Sequence, residues 1–428
     1  MKFTAVGDAI IQKRIPGDDI SYSQLTDYIN QGDARFFNLE TTLFEKGECY
    51  ASQFSGGTYL RTTPKALDDL IPYGFNLTSF NNNHCMDFSY DGLLKTLDSV
   101  EKSGLVHAGV GRSLEEASCP KYLKTDKGTV ALISFNTTFE ACTIAGDPAP
   151  FVPARPGVNG LTIEDYISVS EAEFNHLKEL ADSTGVNDNE KILIREGYSL
   201  GDTGDEFSFG KTKFIKGEKN QVIQKVKKAD LIRAEKAIKE AKEKADEVII
   251  SLHTHQIFGE YKETVPPVLE EFSRFCIDCG ATAVIGHGPH LLRGIEIYKE
   301  CPIFYSLGDF ILQLYGVEYA PADFYAKYGL TPDVGVQNLL KTRSKNFTIG
   351  LMEQRVMFQS VIPYWETENG KLKFLELLPI ELLMQGEENT QGLPRIAEDT
   401  AFMDKLADMS AQYGTKIILQ DGKYIVKW

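Results

Sequence analysis

The chain has 428 residues, 42% of them hydrophobic and 25% charged, enough to bury a full core in about two to three domain-sized units. Its formal net charge of −16 argues against nucleic acid or an anionic membrane surface as partner, because long-range repulsion opposes both encounters. Seven cysteines without regular spacing do not make a disulfide framework, and Cys276 and Cys279 lie one helical turn apart, so a reducing compartment is expected.

The amino terminus, MKFTAVGDAI, carries one lysine and too few apolar residues for a signal peptide or anchor, so the chain reads as cytoplasmic with no membrane segment. Residues 3–6 form a predicted strand that ends at Gly7 and Asp8. A helix over SYSQLTDYIN leads to the buried strand ARFFNLE, which ends in a second carboxylate, Glu40. The strand FNLTSF ends in Asn81, Asn82, Asn83 and His84. Three successive strand ends thus carry metal-binding or proton-transferring groups.

The stretch from Ser89 to Gly104 is expected to be a helix with Tyr90, Leu93, Leu94, Leu97 and Val100 on one face and Gly104 as its stop. Ser113 and Glu116 have capping-box spacing ahead of a short helix, and TVALISF is a further strand. Alternation of strand and helix makes the class α/β. Between Asn136 and about Gly217 the alternation gives way to Pro-, Gly-, Asp- and Phe-rich sequence with one helix in SEAEFNHLKELAD and a hairpin in GDTGDEFSFGKTKF. Such a segment reads as an insertion, either a lid or binding loop or else a disordered segment or packed surface flap. A lysine- and glutamate-rich helix is expected from Val222 to Ala245, its charges forming a solvated face.

That helix feeds the strand EVIISL, which ends in His253, Thr254 and His255. Alternation along an extended backbone puts the two histidines on one face. After the helix-like PPVLEEFSRFCIDCGA comes AVIGHGPHLLRGIEIY. Here a short apolar strand stops at Gly286, Gly288 and Pro289 shape the loop, and His287 and His290 are delivered to the same sheet edge. The inventory at that edge is Asp8, Glu40, Asn83, His84, His253, His255, His287 and His290. Imidazole, amide and carboxylate ligands suit one or two divalent ions, with zinc, manganese, iron and calcium not distinguished.

Taken together, GD at the first strand, NLE at the second, NNH, an HxH strand end, and IGHGPHLLRGIEIY followed by PIFYSLGDF resemble the CapA family of poly-γ-glutamate capsule synthesis. That family is similar to the calcineurin-like metallophosphatases. The resemblance spans roughly residues 1–310 apart from the insertion. It implies a sandwich of two mixed β-sheets flanked by helices, with later strands NFTIGLMEQRVMF and KLKFLELLPIELL completing the second sheet. It also implies metal ligands at Asp8, Glu40, Asn83, His253, His287 and His290, catalytic proton transfer by His84 and His255, and substrate contacts from Asn82 and Arg293. Two departures stand out: Ile10 occupies the position of a ligand histidine in the phosphatases, and Asp309 stands where many relatives have asparagine.

The implied domains are residues 1–136 with 218–385 as the CapA-like domain, 137–217 as the insertion, and 386–428 as a C-terminal helix and hairpin. Three functions follow as expectations. The first is a metal-dependent hydrolase of a phosphoester or a γ-glutamyl or peptide amide, with a small-molecule, peptide or poly-γ-glutamate-like substrate. The second is a metal-dependent peptide Cα epimerase similar to a lasso-peptide epimerase. The third is a non-catalytic polymer-binding component of capsule synthesis.

Overall fold

The first strand is longer than residues 3–6. In the computed structural model, which describes residues 1–202 and 204–428, β1 runs over Lys2–Ile10, and every residue after Lys2 is buried. It lies parallel to β2 (Ala34–Leu39), which pairs in parallel with β3 (Leu77–Ser79). A second sheet is built on β4 (Gly128–Asn136), β5 (Glu247–His253), β6 (Ala283–His287), β7 (Leu292–Tyr298) and β8 (Cys301–Leu307). Its spatial order is β7-β8-β6-β5-β4, with Lys121–Thr125 at the far edge. The four inner strands are parallel and both edges antiparallel. The chain then returns to the first sheet through β9 (Asp309–Leu312), parallel to β1, and the antiparallel pair β10 (Gln359–Glu368) and β11 (Lys371–Leu382). The class is mixed α/β.

One hydrophobic cluster is shared by the two sheets, because their strands are apolar on the faces they turn to each other. Trp365 of β10 belongs to it and is fully buried. The indole stacks on Phe3 of β1 at 5.0 Å and meets Phe304 of β8 at 5.4 Å, so a single side chain joins both sheets. Helix α1 (Ser89–Ser103) buries Leu93, Leu97 and Val100 and stops at Gly104 with φ 81°, whereas Tyr90, expected on the buried face, is exposed. Helix α2 (Pro267–Cys279) buries Leu269, Phe272 and Cys276, and Phe272 meets Phe135 of β4 edge-on at 5.3 Å.

Several expectations change. Asn346–Phe358, expected as a strand, holds two 3-10 turns instead, since Lys345, Asn346, Phe347 and Gly350 all have positive φ, which no strand accommodates. KLKFLELLPIELL does form a strand, beside β10 in the sheet of β1. The helix expected from Val222 starts only at Lys228: the β-branched residues Val222, Ile223 and Val226 pair as a strand with Ile163–Val169. Gly286 is not a turn but lies inside β6, where a Cβ would stand 2.5 Å from the Tyr305 carbonyl oxygen; Gly288, φ 116°, makes the turn. At Ser113 the hydroxyl accepts from the Glu116 N–H, but the Glu116 carboxylate returns to the Arg112 N–H.

The chain divides into two compact units, Met1–Gly160 with Ile232–Trp428, and Leu161–Leu231. The second is a four-stranded sheet of Ile163–Val169, Glu206–Phe209, Thr212–Lys216 and Gln221–Val226 with helices Glu171–Thr184 and Asp188–Arg195. Ser170 and Glu173 form a reciprocal capping box at the first of these helices, and Phe174 packs on Phe207. Thr203, within the stretch expected as a hairpin, lies outside the described residues. In the first unit the C-terminal helix is Phe402–Ala411 and the hairpin Lys416–Gln420 with Lys423–Lys427, whose second strand pairs with β11. All seven cysteines are free, and among the described residues no helix is long and apolar enough to cross a membrane.

Candidate metal centre

The carboxyl ends of five strands meet, three from the first sheet and two from the second. Asp8 sits where the pairing of β1 with both β2 and β9 slips register, and this irregularity turns its carboxylate out of the regular alternation. The slip depends on Gly7, where a Cβ would stand 1.7 Å from the Gly308 carbonyl oxygen. Glu40 follows β2 and is tied by its N–H to the Ala9 carbonyl. Asn83 and His84 lie in the turn after β3. His253 and His287 end β5 and β6, and because these strands are parallel with His253 opposite His287, the two imidazoles emerge side by side.

Asp8 Oδ1 accepts from Asn38 Nδ2 at 2.7 Å, and Oδ2 accepts from the Gly288 N–H at 2.8 Å. His287 Nδ1 stands 3.2 Å from Asp8 Oδ1 and 2.9 Å from His253 Nδ1, while its Nε2 is 2.8 Å from Ser251 Oγ. His253 Nε2 is 2.7 Å from Asn83 Oδ1 and 3.7 Å from Glu40 Oε1. His84 Nε2 lies 3.9 Å from the same glutamate oxygen. His290, held at φ 60°, places Nδ1 2.9 Å from Asp309 Oδ1 and 3.9 Å from Asp8 Oδ2. The His255 ring is centred 5.1 Å from His253 and 5.2 Å from His290.

The electrostatics follow from burial among like and unlike charges. Burial, with the charges of Asp8 and Asp309, pushes Glu40 well above the usual carboxylate range. Asp8 moves the other way: burial opposes its charge, but the hydrogen bond and charge of His287, joined by His253 and His290, outweigh it. Burial holds His253 and His255 well below the ordinary imidazole value, leaving neutral rings with a lone pair to offer. Burial also raises Asp309 to about 6, against the pull of His290.

This donor set fits a divalent cation. Among the described residues, both oxygens of Glu40 are buried without a hydrogen-bond partner, as are Asp309 Oδ2 and His255 Nε2. Such atoms are costly unless something satisfies them. Among the described residues, three overlapping groups have ligand atoms within 4.8 Å of one another and could hold a metal ion: Asp8, His253 and His287; Glu40, His253 and His255; and Asp8, His290 and Asp309. Two of the candidate ligands have support from behind: Asn38 donates to Asp8, and Ser251 meets His287 Nε2.

Beside the centre opens a cleft of about 400 Å³ lined by Ile10, His84, His255, Lys262, His290 and Arg343, among others. Ile10 thus faces the cleft from the position where a ligand histidine was in question. Two residues expected to touch substrate, Asn82 and Arg293, do not line this cleft, and Asn82 lines a neighbouring cavity with Asn83 and Gly56. Asn82 is buried, its Nδ2 donating to the Leu39 carbonyl at 2.7 Å and its Oδ1 accepting from the His84 N–H at 3.1 Å. Arg293 is buried and donates to the Lys262 and Gln256 carbonyls, both at 2.9 Å, so it holds a loop. Residues that sequence reasoning passed over are Asp87, 2.7 Å from His84 Nδ1, together with Ser251 and Asn38. Only the spacing of Asp87, three residues after His84 in a turn, was a signal.

Comparison with known proteins agrees with the motif order. Residues 2–314 match the family model described as "Bacterial capsule synthesis protein PGA_cap". Two uncharacterised proteins of Sinorhizobium fredii are each 31% identical, over 97% of this chain and 91% of their own length. The capsule biosynthesis protein CapA of Bacillus anthracis is 20% identical over 73% of this chain and 59% of its own length. The PGA biosynthesis protein CapA of Bacillus subtilis is 24% identical over 59% and 47%. With its family model matched from the second residue to the end of β9, this chain belongs to the bacterial capsule synthesis protein family PGA_cap, the CapA family.

Proposed function

We propose that the chain is a metal-dependent hydrolase with a calcineurin-like metallophosphatase arrangement, acting on a phosphoester or a γ-glutamyl or peptide amide. The observation that carries this reading is the unsatisfied Glu40 carboxylate amid Asp8, Asn83, His253 and His287. These five residues would hold the ion or ions, with His290 at the cleft side. The chemistry supplied by a divalent ion there is Lewis acidity toward water and the scissile group. His84, oriented through Nδ1 by Asp87, donates a proton to the leaving atom on the cleft side.

A second reading is a peptide Cα epimerase. Its support is that His84 and His255 both line the cleft while Ile10 replaces a ligand, which weakens a two-ion hydrolytic centre more than a single Lewis acid flanked by two bases. Elemental analysis of protein purified without added metal, followed by turnover of bis(4-nitrophenyl) phosphate and γ-glutamyl-4-nitroanilide, tests the hydrolase. His84→Ala should lower the rate by about a hundredfold or more. An unchanged rate removes His84 from the mechanism. Deuterium entering a peptide Cα without cleavage would replace hydrolysis by epimerisation, and metal binding with neither reaction would leave a polymer-binding role.

A further inference from the structure

The loop after β5 carries a lysine that lacks a counter-ion. Buried Arg293 donates to the carbonyls of Gln256 and Lys262, pinning the loop at two points and setting Lys262 at the cleft wall beside His255 and His290. Lys262 is half-buried, and among the described residues its ammonium makes no hydrogen bond or ion pair. The nearby acids are engaged elsewhere: Glu263 with Lys405, and Asp309 with His290. Burial and the charge of Arg293 push the Lys262 pKa down, the response of a cation without compensation. Desolvating an ammonium this way is unfavourable until an anion joins it.

The rest of the cleft is not built for a polyanion. Leu340, Ile349 and Met352 line it with apolar surface. Glu353 also lines it, accepting from Tyr315 Oη at 2.9 Å, and would repel a second negative charge. Arg343, the other cation in the lining, stays charged but directs Nη1 to the Gly57 carbonyl at 2.8 Å and to Thr58 Oγ1 at 2.6 Å, and with Lys262 it does not make a row. A chain with a carboxylate on every residue would need a row of cations here.

We infer that the cleft takes a substrate with a single anionic group beside the reacting centre, held by Lys262, and an apolar remainder seated against Leu340, Ile349 and Met352. The inference rests on the hydrolase reading only for where the reacting centre lies. Calorimetric titration of the full chain with 4-phenylbutyrate, 4-phenylbutyramide and a γ-glutamate trimer tests it. The acid should bind at least tenfold tighter than the amide. Lys262→Met should abolish that preference, Lys262→Arg should keep most of it, and Lys299→Met, which removes a cation remote from the cleft, should leave it unchanged. Circular dichroism checks that each variant is folded. Equal affinity for acid and amide, a preference that survives Lys262→Met, or tighter binding of the γ-glutamate trimer overturns the inference. A Lys262-dependent preference in a protein that turns over no ester or amide sinks the hydrolase reading alone and sustains this one.

Discussion

His84 Nδ1 lies 2.7 Å from Asp87 Oδ2, and that carboxylate also accepts the N–H groups of Gly56 and Leu60 at 2.9 and 2.8 Å. The imidazole is therefore held from behind by a group that is itself fixed to the backbone on two sides, which leaves Nε2 facing Glu40 and the cleft. Asp87→Asn keeps the shape and removes the charge. Turnover should fall about 10- to 100-fold with metal content unchanged. Steady-state kinetics beside elemental analysis check this, and full activity would show that Asp87 serves the backbone alone.

His253 and His287 form the shared wall of the centre, so His253→Ala or His287→Ala should weaken metal binding at least about tenfold while the fold survives. Glu40→Gln should act in opposite directions on two forms of the protein. Without metal it replaces a carboxyl group whose ionisation burial and the neighbouring acids oppose, so stability at pH 7 should rise by about 1–3 kcal/mol. With metal it removes a ligand, so the rise in melting temperature on adding zinc or manganese should shrink. If Glu40→Gln destabilises the metal-free form, the carboxylate has a supporting role that its unpartnered oxygens do not suggest.

Gly7 tests how far the site depends on backbone contact. Its missing Cβ would stand 1.7 Å from the Gly308 carbonyl oxygen, which itself accepts the Asp8 N–H at 3.2 Å. Gly7→Ala must part β1 from the Gly308 turn, and a loss of at least about 3 kcal/mol is expected from a core clash of this kind. Denaturant titration reads it out. A variant as stable as the parent would mean the two strands can separate freely.

The pH dependence of folding should be visible at Asp19. This carboxylate caps the helix Ile20–Ile29 by accepting the Ser21 N–H and takes both terminal nitrogens of Arg395 at 2.9 and 2.8 Å. Burial opposes its charge, but these partners outweigh burial and lower its pKa from the ordinary 3.8. Folded protein thus binds fewer protons here than unfolded protein. The stabilisation is full above about pH 4 and is lost as pH falls through the lowered folded value. Asp19→Asn should be destabilised by about 1 kcal/mol at pH 7, and its gap from the parent should close below pH 4. A gap that stays constant with pH would put the effect on shape instead of charge.

Most strands were legible because each is a short apolar run that ends in a polar group, and parallel strands covered on both faces must read that way. The failures share a cause. Val222–Val226 looked helical beside a lysine-rich helix until pairing with Ile163–Val169 rewarded its β-branched residues. Asn346–Phe358 looked like a strand because positive φ at three non-glycine residues leaves no mark in the sequence.

For the site, local sequence determined which chemistry-bearing residues stand at strand ends, since that depends only on where each apolar run stops. It could not tell ligand from scaffold. Asn82 and Arg293 carry the same functional groups as substrate-binding residues, yet Asn82 Nδ2 and Arg293 Nε and Nη2 are given to backbone carbonyls of distant segments. The meeting of Asp8 with His287 across 279 positions and, among the described residues, the lack of a hydrogen-bond partner for the Glu40 carboxylate and the unpaired charge of Lys262 were decided by tertiary structure alone. Whether a buried polar group is satisfied is a property of everything packed around it, and no stretch of sequence contains its own surroundings.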